Sequence, residues 1–434
     1  MALRRPKVRR MATETIYAVS ALIVLLLSGI PIALALMLSG ALGLWLLDFP
    51  MLTVIQRFTA GSESFVLLAI PFFILAGAVM EAGGLSRRLI TFCDASFGFL
   101  PGGLANANVG ASMIFGGISG SAVADTSAIG SVMIPAMERE GYSRAYSAAI
   151  TAATSPVGMI IPPSIPMIIW SFISGQSLNQ LFLAGIIPGL LVTIGIALVS
   201  TWICQRRGYQ AGFHPFRTRY FLSSLKGGLL AIGAPAIIIG GILSGVFTPT
   251  EASVVVLAYA LAISLLVYRE VTFPQLRRVI ISAGITSASI MFIICGATVF
   301  SFFLTVAGVP AQVGSLILGI SDSPLGFIMA AGVLMFVLGM FLDTTTTILM
   351  AGPIIIPLFG EAGVDPLVAT MVILVVLAIG LITPPVGLCL FVVASITQVK
   401  VSDVARECVP FILVMLTVAV VIWIFPPLVT WEAS

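Results

Sequence analysis

The sequence predicts an all-α polytopic membrane protein made of two inverted structural repeats, each with a re-entrant hairpin and a broken helix. Three observations support this fold class: an extreme hydrophobic composition, long apolar stretches separated by short basic loops, and glycine- and proline-rich segments that recur along the chain. Glycine and proline in such number are typical of membrane helices that pack closely or are interrupted.

The composition excludes a soluble protein. Of 434 residues, 59% are hydrophobic and 9% are charged, with a mean hydropathy of +1.18. Soluble domains carry about 25% charged residues. The length gives room for roughly ten spans of ~20 residues in the lipid bilayer.

Several other classes are disfavoured by the same counts. The net charge of +3 comes from scattered basic residues that form no groove, so we expect no nucleic acid partner. His214 is the only histidine, which argues against zinc or haem chemistry. The five cysteines are odd in number and lack CxxC spacing, so they are interpreted as apolar packing residues.

The apolar stretches and basic loops together predict the topology. Nine stretches are predicted to cross the membrane: 16–47, 64–81, 147–172, 181–203, 228–247, 252–268, 279–305, 367–395 and 409–430. Two interrupted stretches, 102–136 and 326–359, are predicted to enter and leave on the same side. With the N-terminus inside, the inner loops then contain 19 of the 20 basic residues, and only Arg57 lies outside. The positive-inside rule therefore predicts a cytoplasmic N-terminus and a periplasmic C-terminus in a bacterial inner membrane.

The chain is predicted to divide into four parts. Residues 1–15 form a basic cytoplasmic N-terminus, 16–204 the first repeat, 205–250 a basic loop with a connecting helix, and 251–430 the inverted second repeat. The N-terminus superficially resembles a signal peptide. However, the run 16–47 is much longer than a signal-peptide apolar region, so we expect a retained span. Met11 is an alternative start of translation.

The repeat is visible in the letters. Residues 116–137 (GGISGSAVADTSAIGSVMIPAM) match 338–359 (LGMFLDTTTTILMAGPIIIPLF), 222 positions apart. TSPVG at 154–158 matches TPPVG at 383–387, 229 positions apart, which predicts a short insertion between the copies. One extra helix between the copies would invert the second, as in many secondary transporters.

The hairpins carry the residues that suggest chemistry. Asp125 and Asp343 lie in the middle of the two interrupted stretches. An ionisable group at membrane depth costs roughly 2.5–3.5 kcal/mol and so suggests a function. Each aspartate has small hydroxylic neighbours, whose oxygens suit alkali or alkaline-earth cations: Ser119, Ser121, Thr126, Ser127, Thr344, Thr345, Thr346 and Thr347. The alternative is that both aspartates only cap short helices.

Prolines interrupt the two broken helices, 147–172 and 367–395. Pro156, Pro162, Pro163 and Pro166 do so in the first, and Pro384 and Pro385 in the second. Freed carbonyls can coordinate a cation, and half-helix N-termini can face an anion. Two equivalent breaks predict two equivalent cation sites. The alternative is a pair of kinks that only shape the packing.

A helix start is predicted at 248–251. Thr248 would be the N-cap, Pro249 the first helical residue, and Glu251 the third, which completes a capping box. We interpret this segment as having a structural role more than as part of a transport site.

Taken together, the motifs GGISGSAVADTSAIG, TAATSPVGMIIPPSIP, GVFTPTEA, LDTTTTILM and TPPVG resemble those of a known family. From about residue 16 to 429 the chain resembles the large membrane (M) subunit of TRAP (tripartite ATP-independent periplasmic) transporters of the C4-dicarboxylate type. The resemblance implies sodium-driven uptake of a carboxylate such as a C4-dicarboxylate, sialic acid or an oxo acid. It also implies an elevator mechanism and no cofactor besides sodium.

The resemblance further implies two protein partners, a small four-helix membrane subunit and a periplasmic substrate-binding protein. We expect the small subunit to be a separate polypeptide. The implied substrate and ion site comprises Ser119, Ser121, Asp125, Thr154, Ser155 and Gly158 in the first repeat and Gly339, Asp343, Thr344, Thr345, Thr383, Pro384 and Gly387 in the second. Which of these residues contact sodium and which contact substrate stays open.

Three other functions are alternatives to this one. A single-component ion-coupled anion or carboxylate carrier without a binding protein is the main alternative. An intramembrane enzyme is disfavoured, because Asp125 and Asp343 lie in neither GxGD nor HExxH contexts. A channel is disfavoured by the proline-broken spans with paired hairpins, which favour alternating access.

Overall fold

The computed structural model describes residues 5–209, 218–320 and 323–431. These residues fold into helices and turns, and none of them lies in a β-strand. The helices of the first half are α1 (Arg5–Leu27), α2 (Ile32–Leu46), α3 (Met51–Ala60), α4 (Ala69–Ala82), α5 (Leu85–Phe97), α6 (Gly103–Ser119), α7 (Ala122–Arg139), α8 (Arg144–Thr154), α9 (Ile165–Ser174) and α10 (Leu178–Arg207).

The second half begins with the connecting helix α11 and ends in a long helix and a short one. Its helices are α11 (Thr218–Leu243), α12 (Pro249–Ala262), α13 (Phe273–Val306), α14 (Val309–Ile320), α15 (Pro324–Phe341), α16 (Thr344–Ile355), α17 (Leu358–Glu361), α18 (Pro366–Gly380), α19 (Leu388–Thr397), α20 (Val401–Ile424) and α21 (Pro427–Thr430). Short 3₁₀ segments lie at Phe65–Leu68 and Ser155–Met159, and a π-helical turn lies at Ile263–Val267.

Six helices of the described chain are long and apolar enough to cross a membrane: Phe65–Ala82, Leu178–Arg207, Pro249–Val267, Phe273–Val306, Pro324–Phe341 and Val401–Ile424. A seventh candidate, in α11, is bent by 52°. Five of the six coincide with predicted spans. The sixth, Pro324–Phe341, begins the second predicted hairpin, so its length alone does not distinguish a re-entrant helix from a span.

The predicted single span at 16–47 is wrong as one helix. The structure divides it into α1 and α2, which pack against each other. Gly29 follows the end of α1 with a positive φ of 77°, and Pro31 precedes α2. A glycine in the left-handed conformation followed by proline is a frequent helix stop. The sequence carried both residues, but the apolar run around them hid the break. The sidedness of the N-terminus stays a prediction.

Two helix–turn–helix units occupy the interrupted stretches. We call the unit formed by α6 and α7 hairpin 1 and the unit formed by α15 and α16 hairpin 2. Hairpin 1 turns at Gly120, which has a φ of 61°, and hairpin 2 turns at Leu342 and Asp343. Their place in the sequence agrees with the predicted ranges 102–136 and 326–359. Their re-entrant path and opposite orientation are still predictions.

The two predicted broken helices are interrupted in the structure. In the first, α8 and α9 are separated by residues 155–164. In the second, α18 and α19 are separated by residues 381–387. Every residue of α8 from Tyr146 to Thr154 is buried, and α18 is buried along most of its length. A helix that is buried all round lies in the middle of a bundle, which places α8 and α18 there. The first break is buried throughout, whereas Pro384 and Pro385 of the second break are exposed.

The structure corrects the predicted register between the repeats. Ser121 and Asp343, which are the N-caps of α7 and α16, lie 222 positions apart. The cis peptide bonds Pro162–Pro163 and Pro384–Pro385 have the same spacing. One spacing therefore relates hairpins and breaks, and the predicted insertion, based on matching 154–158 to 383–387, is wrong. The motif TxPVG does not mark equivalent positions. It begins at the last residue of α8 in the first half but three residues after the end of α18 in the second.

Glycine pairs hold each hairpin against its neighbouring broken helix. A Cβ on Gly158 would lie 2.5 Å from the Cα of Gly116, and a Cβ on Gly380 would lie 2.8 Å from the carbonyl carbon of Gly339. Gly158 and Gly380 are again 222 positions apart. Such backbone contact is possible only where both residues are small. The contact fixes each hairpin against one break.

Two helices lead into the hairpins, and we call α5 the first arm and α14 the second arm. Each follows a left-handed glycine, Gly84 or Gly308. Four residues after that glycine, Arg88 in the first arm and Gln312 in the second donate to the carbonyl preceding it, at 3.2 and 3.4 Å. Within the described part of the chain, only Arg88 of these two residues has a side-chain partner outside its own arm. It pairs with Glu270 at 2.5 Å and lies 3.7 Å from the centre of the Tyr268 ring.

Two smaller predictions are confirmed. Thr248 and Glu251 form the predicted capping box at the start of α12, with the Glu251 Oε2 accepting the Thr248 N–H at 2.8 Å. All five cysteines are buried, and none forms a disulfide. His214 lies outside the described residues.

Candidate functional site

The tips of the two hairpins are built by N-caps of different charge. The Ser121 hydroxyl accepts the N–H of Ala124 at 3.4 Å. The Asp343 carboxylate accepts the N–H of Thr346 at 3.2 Å and also binds the Thr346 hydroxyl. Serine and aspartate are both favoured N-caps. The first tip is therefore neutral, whereas the second carries a carboxylate.

The two tips meet at a cavity of about 100 Å³. It is lined from hairpin 1 by Gly120, Ser121, Ala122 and Val123, and from hairpin 2 by Asp343, Thr344 and Thr345. The other lining residues are Met159 and Leu381 of the two breaks, Ile165, Pro166 and Leu388 at the start of the helices that follow the breaks, and Ile290 of α13. Asp343 is the only charged residue among these lining residues. We call this space the central cavity.

One contact joins the two halves directly at the central cavity. The Thr344 hydroxyl of hairpin 2 lies 3.4 Å from the Met159 sulfur of the first break. This contact links segments 185 residues apart in sequence. Four of the predicted site residues, Ser121, Asp343, Thr344 and Thr345, line the central cavity.

Asp125 is placed differently, inside hairpin 1. Its side chain is fully buried, and neither carboxylate oxygen has a hydrogen-bond partner among the described residues. Ser112 of α6 and Ser155 of the first break lie beside the carboxylate, and Cys389 is also near. A buried carboxylate without partners is costly, and a bound cation would satisfy it.

The hydroxyls of the broken helices are oriented by their own backbones. Thr154 donates to the carbonyl of Ile150 at 2.9 Å, and Ser155 to that of Thr151 at 2.9 Å. Thr383 donates to the carbonyl of Ile379 at 2.7 Å. Because each hydroxyl hydrogen is used in this way, the oxygen lone pairs are left free as acceptors.

The remaining predicted residues support the tips and do not line the central cavity. Ser119 contacts the Ser121 backbone N–H at 3.4 Å. The Gly387 N–H donates to the Met340 carbonyl at 3.0 Å, which ties the second break to hairpin 2. Pro384 is exposed, and Gly158 and Gly339 make the glycine contacts described above.

Sequence reasoning missed three residues of the site. Asn108 and Ser112 lie on one face of α6, and both have a buried side-chain oxygen without a hydrogen-bond partner among the described residues. Their four-residue spacing in an apolar stretch was a usable signal, because polar groups at membrane depth are expensive. Met159, the third, could not be found from sequence, since its role depends on the contact with hairpin 2.

The arrangement is suited to hard cations. The described residues contain no group of three or more His, Cys, Asp or Glu side chains able to hold a metal ion. What they offer is hydroxyl, carbonyl and single carboxylate oxygens, which alkali cations prefer over transition metals. The surroundings of Asp125 and Asp343 differ chemically, and two equivalent cation sites stay a prediction.

A bundle of apolar helices with interrupted, polar segments at its centre is typical of membrane transport proteins. Residues 19–428 match the family described as "Tripartite ATP-independent periplasmic transporter, DctM component". The chain belongs to this family of TRAP transporter large permeases.

Curated relatives cover nearly the whole chain. The 2,3-diketo-L-gulonate TRAP transporter large permease protein YiaN of Escherichia coli is 40% identical over 92% of this chain and 94% of its own length. The C4-dicarboxylate TRAP transporter large permease protein DctM of Pseudomonas aeruginosa is 37% identical over 84% and 85%. The sialic acid TRAP transporter large permease protein SiaM of Vibrio cholerae is 34% identical over 86% and 87%.

A solved structure has a similar fold. The crystal structure of the Alcanivorax borkumensis YdaH transporter superposes with a TM-score of 0.58 over 87% of each chain, at 15% sequence identity. At this identity the similarity concerns the fold alone. The predicted fold class, an all-α polytopic membrane transporter, is confirmed.

Proposed function

We propose that the protein takes up a carboxylate, driven by a sodium gradient, and binds the substrate at the central cavity together with sodium ions in and beside that cavity. The main support is that Asp343 is the only charged residue among the described residues that line the cavity. A carboxylate cannot enter a site with a carboxylate and no base unless cations enter with it. The substrate class is supported by the names of the three relatives, which specify diketogulonate, C4-dicarboxylates and sialic acid.

Sodium is proposed to bind at two unlike places. The first is the Asp125 carboxylate with Ser112 of α6 and Ser155 of the first break, and the second is the tip of hairpin 2 with the second break. The unpartnered Asp125 oxygens support the first site. The oriented Thr383 hydroxyl and the Asp343 carboxylate support the second. The cap of α7 is neutral, but Asp125 lies in the first turn of that helix, so a substrate carboxylate at this end would need a cation beside it.

The size of the central cavity supports alternating access. A volume of about 100 Å³ is small, because ligand pockets typically measure about 300–1,000 Å³. The tips must therefore separate to admit a substrate such as sialic acid. We propose that the hairpins and breaks move together as an elevator relative to the long spans.

The energy source is the ion gradient. Each positive charge that moves inward down 100 mV contributes roughly 2.3 kcal/mol. Two sodium ions with one monoanion would carry one net charge. The sequence contains no GxxxxGK[ST] nucleotide-binding loop, so ATP is not required.

We propose that the protein works in the bacterial inner membrane with two partners. A periplasmic protein delivers the substrate, and a small membrane subunit packs against the long spans. The tripartite nature of the family supports this proposal. The N-terminus is proposed to be cytoplasmic and the C-terminus periplasmic, with hairpins 1 and 2 inverted.

The test is uptake by the protein reconstituted in vesicles with its small subunit. Candidate binding proteins loaded with radiolabelled carboxylates are added outside, and sodium is varied against choline. Uptake should rise steeply with sodium and require the binding protein. A rate independent of sodium would reject the coupling, and full uptake without any binding protein would favour the single-component carrier.

A further inference from the structure

We propose that the outer face at the start of α13 binds the headgroup of an anionic phospholipid. The face consists of Arg269, Arg277 and Arg278 together with the exposed apolar residues around them. We call it the α13 arginine face. This proposal concerns the lipid environment of the protein and does not depend on the proposed substrate or coupling ion.

The length of α13 places its first turns at the membrane surface. The helix has 34 residues. At 1.5 Å per residue it is about 51 Å long, whereas the hydrocarbon core is ~30 Å thick. Arg277 and Arg278 lie in its first two turns and Arg269 just before it, beyond one end of the most apolar part of the helix.

One exposed stripe of α13 combines an aromatic, a cationic and two aliphatic side chains. Phe273, Arg277, Ile281 and Ile285 follow each other at intervals of four residues, so they share a helix face. Phe273 is 81% exposed, and Ile281 and Ile285 are 50% and 64% exposed. A cation at headgroup level with apolar groups below it matches the shape of a phospholipid.

The arginines of this face are free to bind a phosphate. Arg269 donates one hydrogen bond to the Leu266 carbonyl at 3.2 Å, and Arg278 one to the Pro274 carbonyl at 3.4 Å. Neither these two nor Arg277 forms an ion pair within the described residues. A guanidinium has five N–H donors, so most donors are unused.

The nearest acid in sequence is already occupied. Glu270 pairs with Arg88 at 2.5 Å, and Arg88 lies in the first arm. The α13 arginine face therefore has positive charge that the described protein does not neutralise. Charge complementarity selects an anionic headgroup, such as phosphatidylglycerol, over a zwitterionic one, and basic clusters at membrane surfaces bind anionic lipids in this way.

Binding of defined lipids to the delipidated full chain tests the proposal. Phosphatidylglycerol and phosphatidylcholine are added in detergent, and bound lipid is counted by native mass spectrometry. The wild type should prefer phosphatidylglycerol. R277Q/R278Q should lower its affinity for phosphatidylglycerol about thirtyfold, given the typical contribution of each basic residue at a membrane surface.

Two matched variants serve as controls. R277K/R278K keeps the charge and should keep most of the affinity, and R406Q removes an exposed arginine of α20 and should have no effect. The deacylated headgroup glycerophosphoglycerol should bind far more weakly, because it cannot contact Ile281 and Ile285. Unchanged lipid binding in R277Q/R278Q would overturn the proposal and would favour a protein as the partner of the α13 arginine face. Equal binding of the deacylated headgroup would also overturn it.

Discussion

Ser121 and Asp343 occupy the same position in the two hairpins, 222 residues apart, and each accepts a hydrogen bond from the backbone N–H three residues further on. The two repeats thus share the geometry of the tip but not its charge. In hairpin 1 the carboxylate lies four residues later, at Asp125, where hairpin 2 has Thr347. The two halves of the site should therefore respond differently to the same substitution.

Replacing Asp125 by asparagine should impair transport without lowering the stability of the fold. We expect D125N to reduce sodium-dependent uptake about tenfold or more, in line with typical coupling energies of 1–3 kcal/mol. The melting temperature should stay the same or rise, because a buried carboxylate without partners is removed. D94N makes the same change on the first arm, away from the site, and should transport normally. Wild-type sodium activation in D125N would contradict the assignment.

Two substitutions of Asp343 should distinguish its charge from its role as a cap. Asparagine is as good an N-cap as aspartate, so D343N should fold normally but need more sodium for half-maximal uptake. D343A loses the cap as well and should be less stable by about 1 kcal/mol. Both effects can be measured by thermal unfolding and sodium titration of uptake. If D343N and the wild type need the same sodium concentration, the aspartate is only a cap.

The glycine contacts should not tolerate a methyl group. In G158A the new Cβ would lie 2.5 Å from a backbone atom of Gly116, which cannot move aside easily. We expect a loss of about 1–3 kcal/mol in stability, as for other overpacked sites. A methyl group on Gly240 of α11 would meet no atom within 4 Å, so G240A should be neutral or stabilising. Equal melting temperatures for G158A and G240A would refute the close approach.

The capping box of α12 should be purely structural. T248A removes the side-chain acceptor for the Glu251 N–H and should cost about 1 kcal/mol of stability. E251Q should be tolerated, because glutamine also completes a capping box. The sodium dependence of uptake should be unchanged in both variants. A shift in sodium dependence in E251Q would instead indicate a direct role in transport.

Much of this fold could be predicted from the sequence, because membrane insertion leaves strong signals. Some features depend only on residues close together in sequence: the long apolar helices, the proline breaks and the Thr248–Glu251 capping box. Each appears in the structure at the predicted place. The division between α1 and α2 was missed although Gly29 and Pro31 mark it. The mean hydropathy of a long window includes these two residues with their apolar neighbours. It therefore does not reveal the four-residue break, 28–31, between α1 and α2.

The site was less accessible to sequence reasoning. The sequence identified Ser121, Asp343, Thr344 and Thr345, which do line the central cavity. It placed Asp125 in hairpin 1 but could not show that this side chain is fully buried and does not line the central cavity, since that depends on the packing of α6 against the first break. The repeat register was also misjudged. TSPVG and TPPVG share four letters and suggest an insertion, whereas the caps and the cis prolines of the two halves have one common spacing of 222 residues.

The two arms are anchored unequally. The first arm is bound to the segment after α12 through Arg88 and Glu270, whereas the sequence of the second arm contains no charged residue at all. In the proposed elevator movement, the first arm would therefore stay attached to that segment, and the chain would bend at Gly308, before the second arm.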